Sequence, residues 1–255
     1  MTAQAKDASR RDPPTGLFRG ALLAIGLVAA AAFVADTALA LTQAYLPFDA
    51  PLTRAIQAVG WGPLRAIFGL VDWLEGVRQV VAALGAIVVV GIFNRKALPL
   101  ICAGAASGAG YSLTELVVHR PRPDAHLVHV IRHTNGFSYP SGHEVFFTWF
   151  CVLLIVCLRL YRSPALVAVL AWTLALLVLL VVAVGRVYDG EHWPSDVLGG
   201  LALGIAWTAI ALALRPLSDP ALKVQQRTLH LQHDDRHQDE DRADELQRAQ
   251  TLAQK

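Results

Sequence analysis

The stretch Tyr139-Pro140-Ser141-Gly142-His143 carries a polar loop into a long apolar run, and the residue types at that junction suit an anion. A serine hydroxyl, the unencumbered amides beside a glycine and a titratable histidine meet where a helix begins, and the N–H groups that a helix leaves unpaired at its start favour negative charge. Phosphate fits such a site. Pro-Ser-Gly alone is also ordinary punctuation between loop and helix, so its chemistry depends on what the rest of the chain brings to it. Two clusters qualify. One runs from Glu115 through His119 and Arg120 to Arg122-Pro123; the other runs from Gly185-Arg186 to His192 and Asp196. Arg122 and Arg186 can each fork two N–H bonds onto phosphate oxygens, with Ser141 and the Gly142 amide as neutral donors. His192 and Asp196 stand four apart where an apolar run starts. On a helix they share a face, so that Asp196 can accept from one ring nitrogen and leave the other free.

The elements that must position these residues are membrane helices. The 255 residues are 55% hydrophobic and only 16% charged, with a mean hydropathy of +0.44. That is too apolar for an ordinary soluble domain and too evenly apolar for a single anchor, so the expected class is an all-α polytopic membrane protein. The net charge of +2, with no basic run interleaved with aromatics, excludes a nucleic-acid partner. Cys102, Cys151 and Cys157 lie in apolar segments without metal-ligand spacing; they read as small buried hydrophobes, and neither a disulfide framework nor a metal site is implied. Nothing in the pattern calls for a cofactor.

Six apolar stretches are each about a membrane thick: Leu17 to Leu41, Val77 to Phe93, Ala97 to Val118, Ser141 to Tyr161, Pro164 to Val184 and Val197 to Leu214. The first resembles a signal peptide, with Ala38-Leu39-Ala40 as a cleavage site, but its length favours an uncleaved span. Between the first and second, Pro63 to Leu74 is expected to be a helix on the membrane surface, and Trp61, Phe68 and Trp73 suit that boundary. Residues 1–16 form a polar, disordered lead. Residues 17–214 form the membrane domain, and 215–255 a charged tail, disordered or a solvated helix.

Charge bias orients the spans. The lead, the Arg95-Lys96 turn, the Arg159 to Arg162 turn and the tail hold 15 of the 22 Lys and Arg, against seven on the other side. Both termini therefore belong in the cytoplasm of a plasma or inner membrane, and the loops at 43–76, 119–140 and 185–196 outside. All three chemical clusters then share the extracytoplasmic face.

Arg122-Pro123, Pro140-Ser141-Gly142-His143 and Arg186-x5-His192-x3-Asp196 together resemble the three motifs of the type 2 phosphatidic acid phosphatase superfamily, which also includes soluble bacterial acid phosphatases and vanadium-dependent haloperoxidases. Three motifs in order and correctly spaced are far more specific than one. Two positions depart from the pattern. Glu115 stands where the family places a lysine, and Gly185 where it usually places serine. A carboxylate in a membrane helix needs a partner. Either Arg120, His119 or Arg132 replaces the missing cation, or Glu115 turns away to pair with a neighbouring arginine.

The resemblance implies an integral-membrane phosphatase whose substrate is a membrane lipid phosphate or diphosphate, such as phosphatidic acid or undecaprenyl diphosphate, reached from the bilayer. It also implies a phosphohistidine on His192 and His143 as general acid, then base. Arg122, Arg186, Ser141 and Gly142 would hold phosphate, with Arg120 a further contact. Asp189 and Glu191 receive no role, and Trp193 is expected to anchor at the interface. Phosphoryl transfer to another lipid uses the same residues. A lipid-phosphate binding or transport protein would need the arginines but no nucleophile. The sequence carries no signal for oligomeric state.

Overall fold

The computed structural model describes residues 15–222, so the expectations for the polar lead and for the tail beyond residue 222 lie outside the described residues. All regular structure among the described residues is helical, and they contain no strand. Nine α-helices follow in order: α1 Thr15–Ala40, α2 Asp49–Gln57, α3 Arg65–Trp73, α4 Val77–Phe93, α5 Leu98–Ala105, α6 Ser107–Val118, α7 Gly142–Cys157, α8 Ala165–Tyr188 and α9 Pro194–Ala213. Residues 215–222 add a further helical stretch.

Four segments are long and apolar enough to cross a membrane: Gly16–Ala40, Arg95–Val118, Ala165–Tyr188 and Pro194–Ala213. A fifth arises if Gly62–Trp73 and Val77–Phe93, bent by 79° at the break, count as one, and α7 is a shorter apolar helix. The chain is a multi-pass membrane protein. Its outer surface agrees, because α1 and α8 expose Leu27, Val28, Leu166, Val169, Leu174 and Leu177, as a surface facing lipid must.

The bundle is built around α9, which packs along α1 on one side and α7 on the other. Glycines permit the second contact. A Cβ at Gly200 would lie 2.5 Å from the Ser141 carbonyl oxygen, and one at Gly204 would lie 2.7 Å from Thr148 Cβ. Spaced four apart on one face, they let two backbones approach as membrane helices do when small residues line the seam. Beneath lies the apolar core, where Val90, Leu100, Ile101, Trp149, Leu153 and Val182 are buried between α4, α5, α7 and α8.

Two elements differ from expectation. The loop after the first span contains α2, hidden in the sequence by Pro51, which stands in the helix's first turn where a missing N–H is harmless. The fifth span does not stop at Val184. α8 runs on to Tyr188, so Arg186 sits in the last helical turn, where the helix dipole favours a cation. Of the cysteines, Cys157 is buried as expected, whereas Cys102 is exposed on the outer face of α5.

Candidate active site

Three chain segments converge because α9 holds them. Pro194 opens α9, and Asp196 in its first turn accepts the Trp193 backbone N–H at 2.7 Å. The Asp196 backbone carbonyl accepts the Ser141 N–H at 3.0 Å, which docks the start of α7 against the start of α9. Gly142 and His143 then occupy the first turn of α7, where N–H groups lack intrahelical acceptors. Ser141 Oγ is buried and has no hydrogen-bond partner among the described residues.

A cavity of about 310 Å³ opens beside it, bordered at its polar end by Arg122, Gly142, His143, Glu191 and His192. Arg122 lies in the loop after α6. Its Nη1 donates to the Glu191 carbonyl at 2.8 Å, Nε has no partner, and among the described residues it makes no ion pair, so its charge is available to an anion. Arg186 is fully buried. Its Nη1 lies 3.2 Å from His143 Nδ1, while its Nη2 bonds Asp72 and lies 2.7 Å from Glu191 Oε1, close but not aligned as a hydrogen bond. Arg132, half exposed in the same loop as Arg122, reaches Asp72 at 2.7 Å and Glu191 at 3.4 Å.

His192 is buried, and its Nδ1 lies 2.7 Å from the Ser138 carbonyl oxygen. That carbonyl can only accept, so Nδ1 carries the proton and Nε2 keeps its lone pair. Burial, with the Arg122 and Arg186 charges adding to it, holds the ring well below the usual histidine range, so it is neutral at neutral pH. The expected Asp196 contact is not made: Asp196 Oδ2 is 3.9 Å from the same nitrogen. α9 begins only at Pro194, so His192 lies outside it and shares no helical face with Asp196. Asp196 acts one step removed, with Oδ2 accepting from Ser138 Oγ at 2.8 Å and Oδ1 from Arg120 at 2.5 Å.

Arg120 is likewise corrected. All its donors face protein: Nε the Gln43 and Ala44 carbonyls, Nη1 Ser195 and Asp196, Nη2 Asp49. Its side chain is fully buried and does not border the cavity, so it is turned away from a phosphate bound there. Among the described residues Glu115 forms no ion pair with an arginine. It hydrogen-bonds Tyr111, one turn earlier on α6, and lies outside the cavity lining while the Tyr111 ring borders it. Gly185 is accounted for by packing, since a Cβ there would meet Phe68 Cδ1 at 3.1 Å and a serine would crowd α3 against α8. Trp193 is buried, not interfacial, with its ring 5.3 Å from that of Tyr45.

Sequence reasoning missed the acids that hold the cations. Asp49, Asp72, Asp189 and Glu191 are all buried. Asp189 shares a hydrogen bond with Asp72, and burial followed by the Asp72 charge raises its carboxyl to about 7. Burial also raises Glu191. No motif marks these residues; the available signal was only that each lies in a loop or surface helix of an otherwise apolar chain.

The PAP2 superfamily pattern matches residues 96–219. Phosphatidylglycerophosphatase B of Bacillus subtilis is 30% identical over 150 residues, covering 52% of this chain and 71% of that one. Undecaprenyl-diphosphatase of Sulfolobus acidocaldarius is 32% identical over 92 residues, covering 36% of this chain but only 40% of its own length. Among solved structures, the transmembrane PAP2-type phosphatidylglycerolphosphate phosphatase of Bacillus subtilis superposes with a TM-score of 0.59 at 20% identity, over 73% of this chain and 94% of that one. The matched region contains the arginines, the histidines and the start of α7 described above, and the chain belongs to the PAP2 superfamily.

Proposed function

We propose that this chain is an integral-membrane phosphatase that hydrolyses a lipid phosphate or diphosphate through a phosphohistidine on His192. The observation that carries the reading is the state of His192: neutral, with Nδ1–H fixed on the Ser138 carbonyl and Nε2 free, in a cavity shared with Arg122, His143 and the start of α7. The substrate phosphoryl group would sit against Arg122 and the Gly142 amide, with Arg186 and Ser141 Oγ, which lie behind the cavity wall, adding charge and a further donor. Nε2 attacks phosphorus as the bond to the leaving oxygen breaks, and His143 gives that oxygen a proton. Water then attacks the phosphohistidine, His143 takes the water's proton, the P–N bond breaks, and inorganic phosphate departs. Asp196 is a positioning residue, acting through Ser138.

A lipid substrate is supported by the cavity's apolar walls and by the names of the relatives. The proposed topology has six spans, with the bent α3–α4 pair providing the second and the short α7 the fourth. Both termini are cytoplasmic, and the site faces outward.

The test is phosphate release by detergent-purified protein from phosphatidic acid, phosphatidylglycerol phosphate and undecaprenyl diphosphate, beside His192→Ala. Activity confined to the wild type, with a phosphohistidine trapped by acid quench, is expected. Release undiminished in His192→Ala would sink the mechanism, and none from any wild-type assay would favour a binding protein.

A further inference from the structure

The cavity continues past the histidines. Farther in, it is walled by Val80, Ala83, Ala105, Phe146 and Trp149, a lining suited to hydrocarbon. Two polar side chains interrupt that lining. Ser107 is fully buried, and its Oγ has no hydrogen-bond partner among the described residues. A helical serine ordinarily bonds the carbonyl four residues back. Here that carbonyl, on Ala103, accepts the Trp207 indole Nε1 at 2.7 Å. Gln79 Nε2, on α4, is likewise buried and unpartnered.

Buried donors without acceptors are costly and are normally satisfied. Two of them, on different helices and bordering one cavity, call for a ligand with acceptor atoms at that depth. The depth is defined by α6. The Tyr111 ring packs on Gly142, where an added Cβ would lie 3.0 Å from it, and Ser107 is one turn farther from the loop, about 5–6 Å deeper. A glycerol backbone carries ester carbonyl oxygens a few bonds beyond its phosphate. A dialkyl ether analogue keeps the glycerol but lacks those carbonyls, and would leave both donors unpaired.

We propose that Gln79 and Ser107 form a subsite for the ester carbonyl oxygens of a glycerophospholipid, so that the chain prefers diacyl to dialkyl glycerol phosphates. This rests on the phosphatase reading above and narrows it. Both side chains donate, Gln79 through Nε2–H and Ser107 through its hydroxyl, and an ester carbonyl accepts. The site sets substrate choice and takes no part in bond breaking.

The experiment compares kcat/KM of the full chain in mixed micelles on dioleoyl phosphatidic acid and on its dialkyl ether analogue, which lacks only the carbonyls, with undecaprenyl diphosphate as a third lipid that reports phosphatase activity independently of the carbonyls. The wild type should prefer the diacyl substrate to the dialkyl one by about tenfold or more. In Gln79→Leu/Ser107→Ala the diacyl-to-dialkyl ratio should fall towards one, chiefly through KM. Equal wild-type rates on the diacyl and dialkyl lipids, or release from undecaprenyl diphosphate alone, would overturn the subsite and leave the phosphatase reading standing. The wild-type comparison needs no variant, so the proposal stays exposed even where the double substitution fails to fold. An unchanged ratio in a folded variant also overturns it, and no release from any of the three lipids overturns both readings.

Discussion

At the residue scale, His192 concentrates the argument. Its ring is neutral because burial and two arginines oppose the imidazolium, and a neutral ring is what a nucleophile needs. The sign is definite. Lowering the pKa in the folded protein keeps Nε2 unprotonated as pH falls through the usual histidine range, so the acid limb of kcat/KM should lie well below pH 6.5. A stopped assay from pH 4 to pH 9 measures it, and a limb near 6.5 would place the titrating group elsewhere. Arg122 gives a second prediction. With no ion pair among the described residues to lose, Arg122→Ala should leave the fold intact while lowering turnover roughly 10²–10³-fold, as loss of one transition-state donor does. Arg120→Ala should behave differently, unfolding the protein at lower temperature, because it strips the buried Asp49 and Asp196 of their cation. The histidines and Arg122 were legible in sequence because chemistry fixes their type and spacing. Asp49, Asp72 and the Ser138 carbonyl were not: a buried carboxylate that neutralises an arginine can come from any loop, and a backbone oxygen has no letter.

At the element scale, the loop carrying Arg122 and Arg132 is held to the end of α8. The Asp189 carbonyl accepts the Ile131 N–H at 2.9 Å and the Arg132 N–H at 3.1 Å, while the Asp189 carboxyl shares a hydrogen bond with Asp72 from α3. Two carboxyls in that contact need a proton between them. Asp189 is raised in the folded chain from 3.8 to about 7. Its contribution to stability is therefore fully present below the unfolded value and is lost as pH rises through about 7. Thermal unfolding in detergent should show Tm falling across that interval, and Asp189→Asn should flatten the fall, since an amide still donates to Asp72. A Tm independent of pH in the wild type would remove the shared proton. The helices themselves were readable from apolar run length, but their ends were not. Arg186 looked like a loop residue because a charge usually ends a span; here Asp72 and Glu191 neutralise it and the helix continues.

At the scale of the whole molecule, the six apolar runs, the loop between the third and fourth and the short link between the fifth and sixth were visible in sequence. What joins them was not, because α2 reads as a Pro-containing loop and the close approach of α9 to α7 depends on which glycines face each other. Topology makes the largest single claim, since all three motifs must face one side for the cavity to exist and only the lysine and arginine bias says which side. The loop containing Ala125 should be extracytoplasmic, and the Arg95–Ala97 turn cytoplasmic. Both Ala125 and Lys96 are exposed, so each can report on its side. With Cys102, Cys151 and Cys157 replaced by alanine, a membrane-impermeant maleimide added to intact cells should label Ala125→Cys and spare Lys96→Cys until the membrane is permeabilised. Labelling of Lys96→Cys in intact cells would reverse the orientation and place phosphate release in the cytoplasm. The residue chemistry would survive that outcome, because His192, Arg122 and the start of α7 meet in the same cavity whichever side it faces.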